Sequence, residues 1–156
     1  MSNFGYGHAV YLTRDFADGE PVLLALGDTV YKSSTEKSCA EQILSYYDIV
    51  NEPVVSLHEI SSGDFKYYAV ASGILDENLK NSMSISNIVE KPDVDYAITN
   101  LSMCGKFFGT FGMSVINDVV YETLGENIDS NIINNGEFGF TEAIAAMLKK
   151  STIKGF

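Results

Sequence analysis

The sequence predicts one α/β domain whose sheet is covered on both faces. Three observations lead there. The length of 156 residues fits a single domain. An apolar share of 46% beside 20% charged residues is that of a folded chain. Short apolar or β-branched runs alternate with stretches of helical periodicity through the first half. A chain of this size buries about 68–70% of its unfolded surface, so its core needs no disulfide or metal to hold it.

Residues 9–16 follow the pliable Gly5-Tyr6-Gly7 and are expected to form a short helix. Pro21-Val22-Leu23-Leu24-Ala25-Leu26 is a brief continuous apolar run closed by Gly27-Asp28, too short for a core helix, and reads as a buried strand. A polar loop over 32–36 leads into 37–50, where Ala40, Ile43, Leu44 and Tyr47 fall at helical spacing. Asn51-Glu52-Pro53 breaks that helix, and 54–60 alternates as a strand does. Residues 65–71 and 85–91 are aromatic and β-branched enough for two further strands, the second stopped by Pro92. A buried, Gly-punctuated strand is expected over 101–110, then helices over 114–124 and 141–150. Thr141 is expected to cap the last helix, and Lys149 and Lys150 suit its C-terminal dipole.

Ten basic against twenty-one acidic side chains give a formal charge of −11. Nucleic-acid and anionic-membrane partners both require a basic face, and this composition leaves little material for one. The apolar runs fall far short of the ~20 residues of a spanning helix. Met1-Ser2-Asn3-Phe4-Gly5-Tyr6 has neither the charged nor the apolar region of a signal peptide. Cys39 and Cys104 stand far apart, which favours two reduced thiols and a cytoplasmic setting.

Three short strings carry candidate chemistry. Asp28 sits just past the carboxyl end of a predicted strand, where open α/β sheets bind ligands, and its carboxylate is a hard oxygen ligand suited to Mg2+. An Asp that merely closes a turn is the competing reading. In Val89-Glu90-Lys91-Pro92, a proline-terminated strand end can twist both heads into one cleft, Glu90 accepting from hydroxyls and Lys91 offering a point charge to phosphate. A solvent-exposed ion pair explains the same residues. Gly5-Tyr6-Gly7-His8-Ala9 places two glycines before a helix, where bare backbone can approach a flat base or a phosphate, or simply form a flexible lead-in. His8 and His58 lack metal-spaced partners, and His58 reads as a structural or surface residue. No G-x-S-x-G elbow is present, and the nine tyrosines and nine phenylalanines read as packing.

The order and intervals of these strings resemble the bacterial UDP-glucose pyrophosphorylases, the UTP–glucose-1-phosphate uridylyltransferases among the sugar nucleotidyltransferases. The matching pieces are Gly5-Tyr6-Gly7-His8-Ala9-Val10, then Glu20-Pro21 running into Leu26-Gly27-Asp28, then Val89-Glu90-Lys91-Pro92. Thr99-Asn100-Leu101 with Gly105-Lys106-Phe107 follow, and last Gly136-Glu137-Phe138 leading to Thr141-Glu142-Ala143-Ile144. The resemblance implies a Rossmann-like nucleotidyltransferase fold with a mixed, mostly parallel sheet. It implies a reaction in which a glucose 1-phosphate oxygen attacks the α-phosphorus of UTP and pyrophosphate leaves, giving UDP-glucose with Mg2+ as cofactor. Carried onto matching positions, Gly5 and Gly7 lie against the uracil, and Asp28 holds the metal. Glu90 accepts from sugar hydroxyls, Lys91 pairs with the sugar phosphate, and Ala69 and Glu137 border the substrate.

The departures from the pattern are as specific. Ala69 puts a methyl where the resemblance expects bare backbone against the sugar, Thr29 stands in place of a second Asp, and Gly139 in place of a Gln. A Gly-rich Thr-Arg loop and a late metal-binding Asp have no counterpart here, so the expectation is a truncated domain inactive by itself. Its unpaired strand edges are expected to drive homo-oligomer formation. Two functions stay open: a uridylyltransferase, and a catalytically dead module that binds sugar nucleotide or regulates a complete subunit. Chance likeness leaves only an α/β domain.

Overall fold

The computed structural model describes residues 4–156. Met1-Ser2-Asn3, part of the stretch read above for a signal peptide, lies outside the described residues. Helices α1 (Gly5–Tyr11) and α2 (Arg14–Ala17) precede strand β1 (Val22–Ala25), helix α3 (Cys39–Val50) and strand β2 (Val54–Ile60). Strands β3 (Ala69–Leu75) and β4 (Met83–Glu90) form a hairpin, followed by α4 (Val94–Asn100) and the long β5 (Phe107–Ile116). The chain continues through α5 (Asp118–Asp129), α6 (Phe140–Met147) and a short β6 (Lys154–Gly155).

The α/β class holds, but the sheet is not mostly parallel. Its order is β1-β5-β2-β6-β4-β3, with β5 also touching β3, and among these pairs only β2 with β6 is parallel. The reason lies in where the helical crossovers land. α3 links β1 to β2, which point the same way, and α4 links β4 to β5, which do likewise. Neither linked pair is adjacent: β5 runs antiparallel between β1 and β2, and β3 runs antiparallel between β4 and β5. Alternation along the chain reveals the crossover and not the strand inserted beneath it.

Side chains alternate between two faces of the sheet. On one, Val54, Met113 and Val115 meet Ile43, Tyr46 and Tyr47 of α3. On the other, Val55, Ala69, Ala71 and Ile88 meet Val10 of α1, Tyr121 and Leu124 of α5, and Ile144 and Met147 of α6. A smaller cluster, Phe65, Val70, Ala97 and Leu101, seats α4. Strand β1 is an edge strand with a single pairing, to β5, so Val22, Leu23 and Leu24 are half-buried and Ala25 is exposed. The expectation of a buried strand is corrected accordingly.

Several boundaries also move. The expected 65–71 strand begins at Ala69, because Ser61 and Asp64 form a reciprocal cap that curls 62–64 into a 3-10 turn. The expected 101–110 strand begins at Phe107: α4 occupies the residues before it, and a tight turn at Cys104-Gly105, both with positive φ, joins Met103 to Lys106. Ser114 and Ile116 belong to β5, and the following helix starts at Asp118. Thr141 does not cap α6, whose N-cap residue is Gly139.

Candidate functional site

One cleft of about 1290 Å³ opens on this fold, and the ends of β1 and β4 both reach it. Of the seven residues to which the resemblance gives a place in the site, five line it: Asp28, Ala69, Glu90, Lys91 and Glu137.

The β4 end shows the closest arrangement. Ala69 pairs directly across the hairpin with Glu90. Lys91 takes a φ of 43°, and its N–H donates to the Tyr68 carbonyl at 3.2 Å. That left-handed residue turns the chain sharply, so that consecutive side chains which would point apart on a regular strand come together. Lys91 Nζ lies 3.6 Å from Glu90 Oε1, and both side chains border the cleft. The second oxygen of Glu90 accepts the Thr141 hydroxyl at 2.7 Å. Thr141, expected as a helix cap, instead fixes the orientation of Glu90 from the first turn of α6.

Asp28 is exposed in the loop that follows β1, and its Oδ1 accepts the Thr29 hydroxyl at 3.4 Å. Among the described residues no group of three His, Cys, Asp or Glu side chains gathers as a metal centre would require. Mg2+ commonly keeps its waters and takes one or two carboxylates plus substrate phosphates, so a lone accessible carboxylate facing a cleft fits that mode and no all-protein cage.

Gly5 and Gly7 stand outside the cleft lining, although Tyr6 between them is part of it. Both glycines press on the turn that carries Glu137. A Cβ on Gly5 would lie 2.7 Å from the Glu137 Cβ, and one on Gly7 would lie 2.7 Å from the Phe138 carbonyl oxygen. The Gly7 N–H donates to that oxygen at 2.9 Å, and the Phe138 N–H donates to the Phe4 carbonyl at 3.1 Å. Close approach of helix to turn therefore explains both glycines without a ligand. Glu137 ends the turn Asn134-Asn135-Gly136-Glu137, whose central residues both have positive φ.

Two cleft residues had other readings or none. His58 on β2 lies between the rings of Tyr68 and Phe111, at 4.9 and 5.4 Å with near-perpendicular planes. Its Nδ1 is buried without a hydrogen-bond partner. Burial pushes the imidazole below its ordinary value, against smaller upward pulls from the Gly109 backbone and the Asp64 carboxylate. Tyr31 reaches back to the end of β1. The phenol of Tyr6, another residue of the cleft, is pushed up by burial first and then by Tyr31. Neither His58 nor Tyr31 belongs to a short motif, and only the folded sheet brings them to the cleft.

The architecture, a mixed α/β sheet with a cleft at its strand ends, is a fold shared with solved structures. The neighbours that share it are UDP-glucose pyrophosphorylases: the apo form of one superposes with a TM-score of 0.84 at 22% identity, over 100% of this chain and 53% of that one. A complex of UDP-glucose pyrophosphorylase with UDP-glucose gives 0.82 at 22% identity, over 100% and 54%. A UTP-bound enzyme from Acinetobacter baumannii gives 0.77 at 19% identity, over 98% and 48%. In sequence, the chain is 24% identical over 140 residues to UTP–glucose-1-phosphate uridylyltransferase 1 of Staphylococcus saprophyticus, covering 90% of this chain and 44% of that protein. It is 26% identical over 151 residues to a putative enzyme of that name from Methanocaldococcus jannaschii, covering 97% and 48%. No family model matches. The resemblance read from the motif order is thus borne out, and the chain spans about half the length of the curated relatives it matches.

Among the described residues, no helix is long and apolar enough to cross a membrane.

Proposed function

We propose that the cleft binds a sugar nucleotide, and that it is the sugar-phosphate half of a site forming UDP-glucose from UTP and glucose 1-phosphate. The observation that carries this reading is the β4 end: an oriented carboxylate and the exposed ammonium paired with it, held together at the cleft by a left-handed residue, beside a buried cross-strand Ala69. Relatives of the chain carry the name of that activity, and one structural neighbour is described with UDP-glucose bound.

In this reading Glu90 accepts hydrogen bonds from sugar hydroxyls while Thr141 holds its other oxygen. Lys91 donates to the sugar phosphate and lowers the charge repulsion between two phosphates brought into line. Asp28 would hold Mg2+, which supplies charge neutralisation on the phosphate oxygens when bound. Transfer then needs alignment more than a protein nucleophile. The methyl of Ala69 narrows the sugar end, which favours a weak or altered sugar preference.

Lys32 and Lys91 are the basic residues of the cleft, against Asp28, Glu90, Glu137 and Glu142. That balance suits a sugar monophosphate or a nucleotide diphosphate sugar with metal better than a bare triphosphate. It favours a second reading for these residues acting alone, a sugar-nucleotide-binding or regulatory module. The free Cys39 and Cys104 accord with the reducing cytoplasm where such chemistry takes place.

Calorimetric titration with UDP-glucose and Mg2+ tests the reading. Lys91→Ala is expected to weaken binding at least roughly tenfold, the loss of a charge-assisted contact of about 1.5–3 kcal/mol. Absence of heat from the unaltered chain at millimolar ligand rejects the site. Pyrophosphate release from UTP and glucose 1-phosphate separates the two readings, since a binding module gives none.

A further inference from the structure

The loop that carries Asp28 is pinned at its base by one side chain to which no role has been given. β1 ends at Ala25, yet the chain stays tied to β5 for one more residue, with the Leu26 N–H donating to the Gly112 carbonyl at 2.9 Å. The Tyr31 hydroxyl enters the same junction. It accepts from the Leu26 N–H at 3.0 Å and donates to the Gly112 carbonyl at 2.8 Å. The Tyr31 ring packs against Phe111 at 5.8 Å, so the phenol is held from its apolar side as well.

These bonds close a short ring of chain. Leu26 and Tyr31 are its two ends, and Gly27, Asp28, Thr29 and Val30 form the bridge between them. Within the bridge the Thr29 N–H donates weakly to the Leu26 carbonyl at 3.4 Å, and Asp28 and Val30 are exposed. The Thr29 hydroxyl also reaches the Asp28 carboxylate at 3.4 Å, and the Tyr31 hydroxyl lies 3.5 Å from the Leu26 carbonyl, so among the described residues the tyrosine is the side chain that ties the loop's exit to β5.

We propose that Tyr31 is the positioning residue for Asp28: its hydroxyl clamps the loop onto β5 and so aims the carboxylate into the cleft. This rests on the proposed role of Asp28 toward Mg2+. In this role Tyr31 acts through the backbone, by its hydroxyl bonds to Leu26 and Gly112, and not as a ligand of the metal. The clamp works because a phenol both donates and accepts, so the hydroxyl shares the N–H and the carbonyl that already pair with each other and ties residue 31 to that pair. Phenylalanine keeps the packing on Phe111 and loses only the clamp.

The test compares the unaltered chain, Tyr31→Phe, Asp28→Asn and the double variant. Amide hydrogen exchange across 26–31 is expected to quicken roughly five- to tenfold in Tyr31→Phe, the loss of about one net hydrogen bond. The Mg2+ concentration that half-saturates UDP-glucose binding is expected to rise roughly tenfold, as when a residue orienting a metal ligand is lost. Affinity without metal should stay the same, which a merely destabilising change would not spare. In the Asp28→Asn background, adding Tyr31→Phe should leave the Mg2+ response unmoved. Unchanged exchange in Tyr31→Phe overturns the clamp even if UDP-glucose fails to bind. Quickened exchange with an unshifted Mg2+ response overturns the positioning of Asp28 while the proposed function stands. No UDP-glucose binding by the unaltered chain overturns that function together with the role of Tyr31 in it.

Discussion

At the scale of single residues, the polar groups around the cleft differ in how well they are partnered. Glu90 has a hydroxyl on one oxygen and an ammonium near the other, whereas His58 has a buried Nδ1 with no partner. An imidazole desolvated in this way resists the proton, so its folded value lies below the unfolded one. Below the ordinary value near 6.5, the unfolded chain therefore binds more protons than the native one at this position, and stability falls as the pH falls. Urea unfolding at a series of pH values from about 7 to about 5 is expected to show that decline. His58→Gln should flatten it, and an unchanged slope in the variant rejects the assignment. Glu41 and Asp64 are lowered carboxylates, held down chiefly by hydrogen bonds from Ser38 and Ser61, and their losses begin only at more acid pH.

At the scale of elements, the meeting of β1 and β5 decides where Asp28 sits. Gly112 has a φ of 80°, and a Cβ there would stand 2.6 Å from the Leu26 Cδ1. Gly112→Ala is expected to cost about 1–3 kcal/mol, from the strained backbone and the displaced leucine. Gly27→Ala, with nothing within 4 Å of the added methyl, should be near neutral. Equal losses for the two in denaturant unfolding would show that the junction carries no special constraint. This junction also marks how far the sequence could be read. Strand β2 falls on the expected 54–60 because Val54 and Val55 are buried on opposite faces just after the break at Pro53, a local pattern. The β4 end was legible as a pair of functional residue types, but not the left-handed turn at Lys91 that joins them, since lysine gives no local sign of positive φ. The Tyr31 clamp and the Thr141 contact with Glu90 span elements distant in sequence, and no periodicity records them.

At the scale of the whole molecule, the charge of −11 acts on any phosphate-bearing ligand before contact is made. The cleft shares the sign, with two lysines among its lining residues against four carboxylates. A sugar nucleotide is itself anionic, so its approach at low ionic strength is opposed by the field of the protein. Salt shortens the reach of that field, from about 30 Å at 0.01 M to about 8 Å at 0.15 M. The proposed contact of Lys91 with a sugar phosphate would be short-range and attractive, and salt would weaken it too. In the absence of Mg2+, that one contact acting over a few ångströms is set against a surplus of eleven negative charges acting over tens of ångströms at low salt. UDP-glucose affinity measured without Mg2+ is therefore expected to strengthen, on the order of two- to threefold, as potassium chloride rises from about 0.01 M to about 0.15 M. A site that captured phosphate with a basic face would weaken over the same range. Titration across that series decides the matter: tighter binding marks a cleft whose surrounding field repels the free anion, and looser binding means that the local lysines outweigh the rest of the molecule.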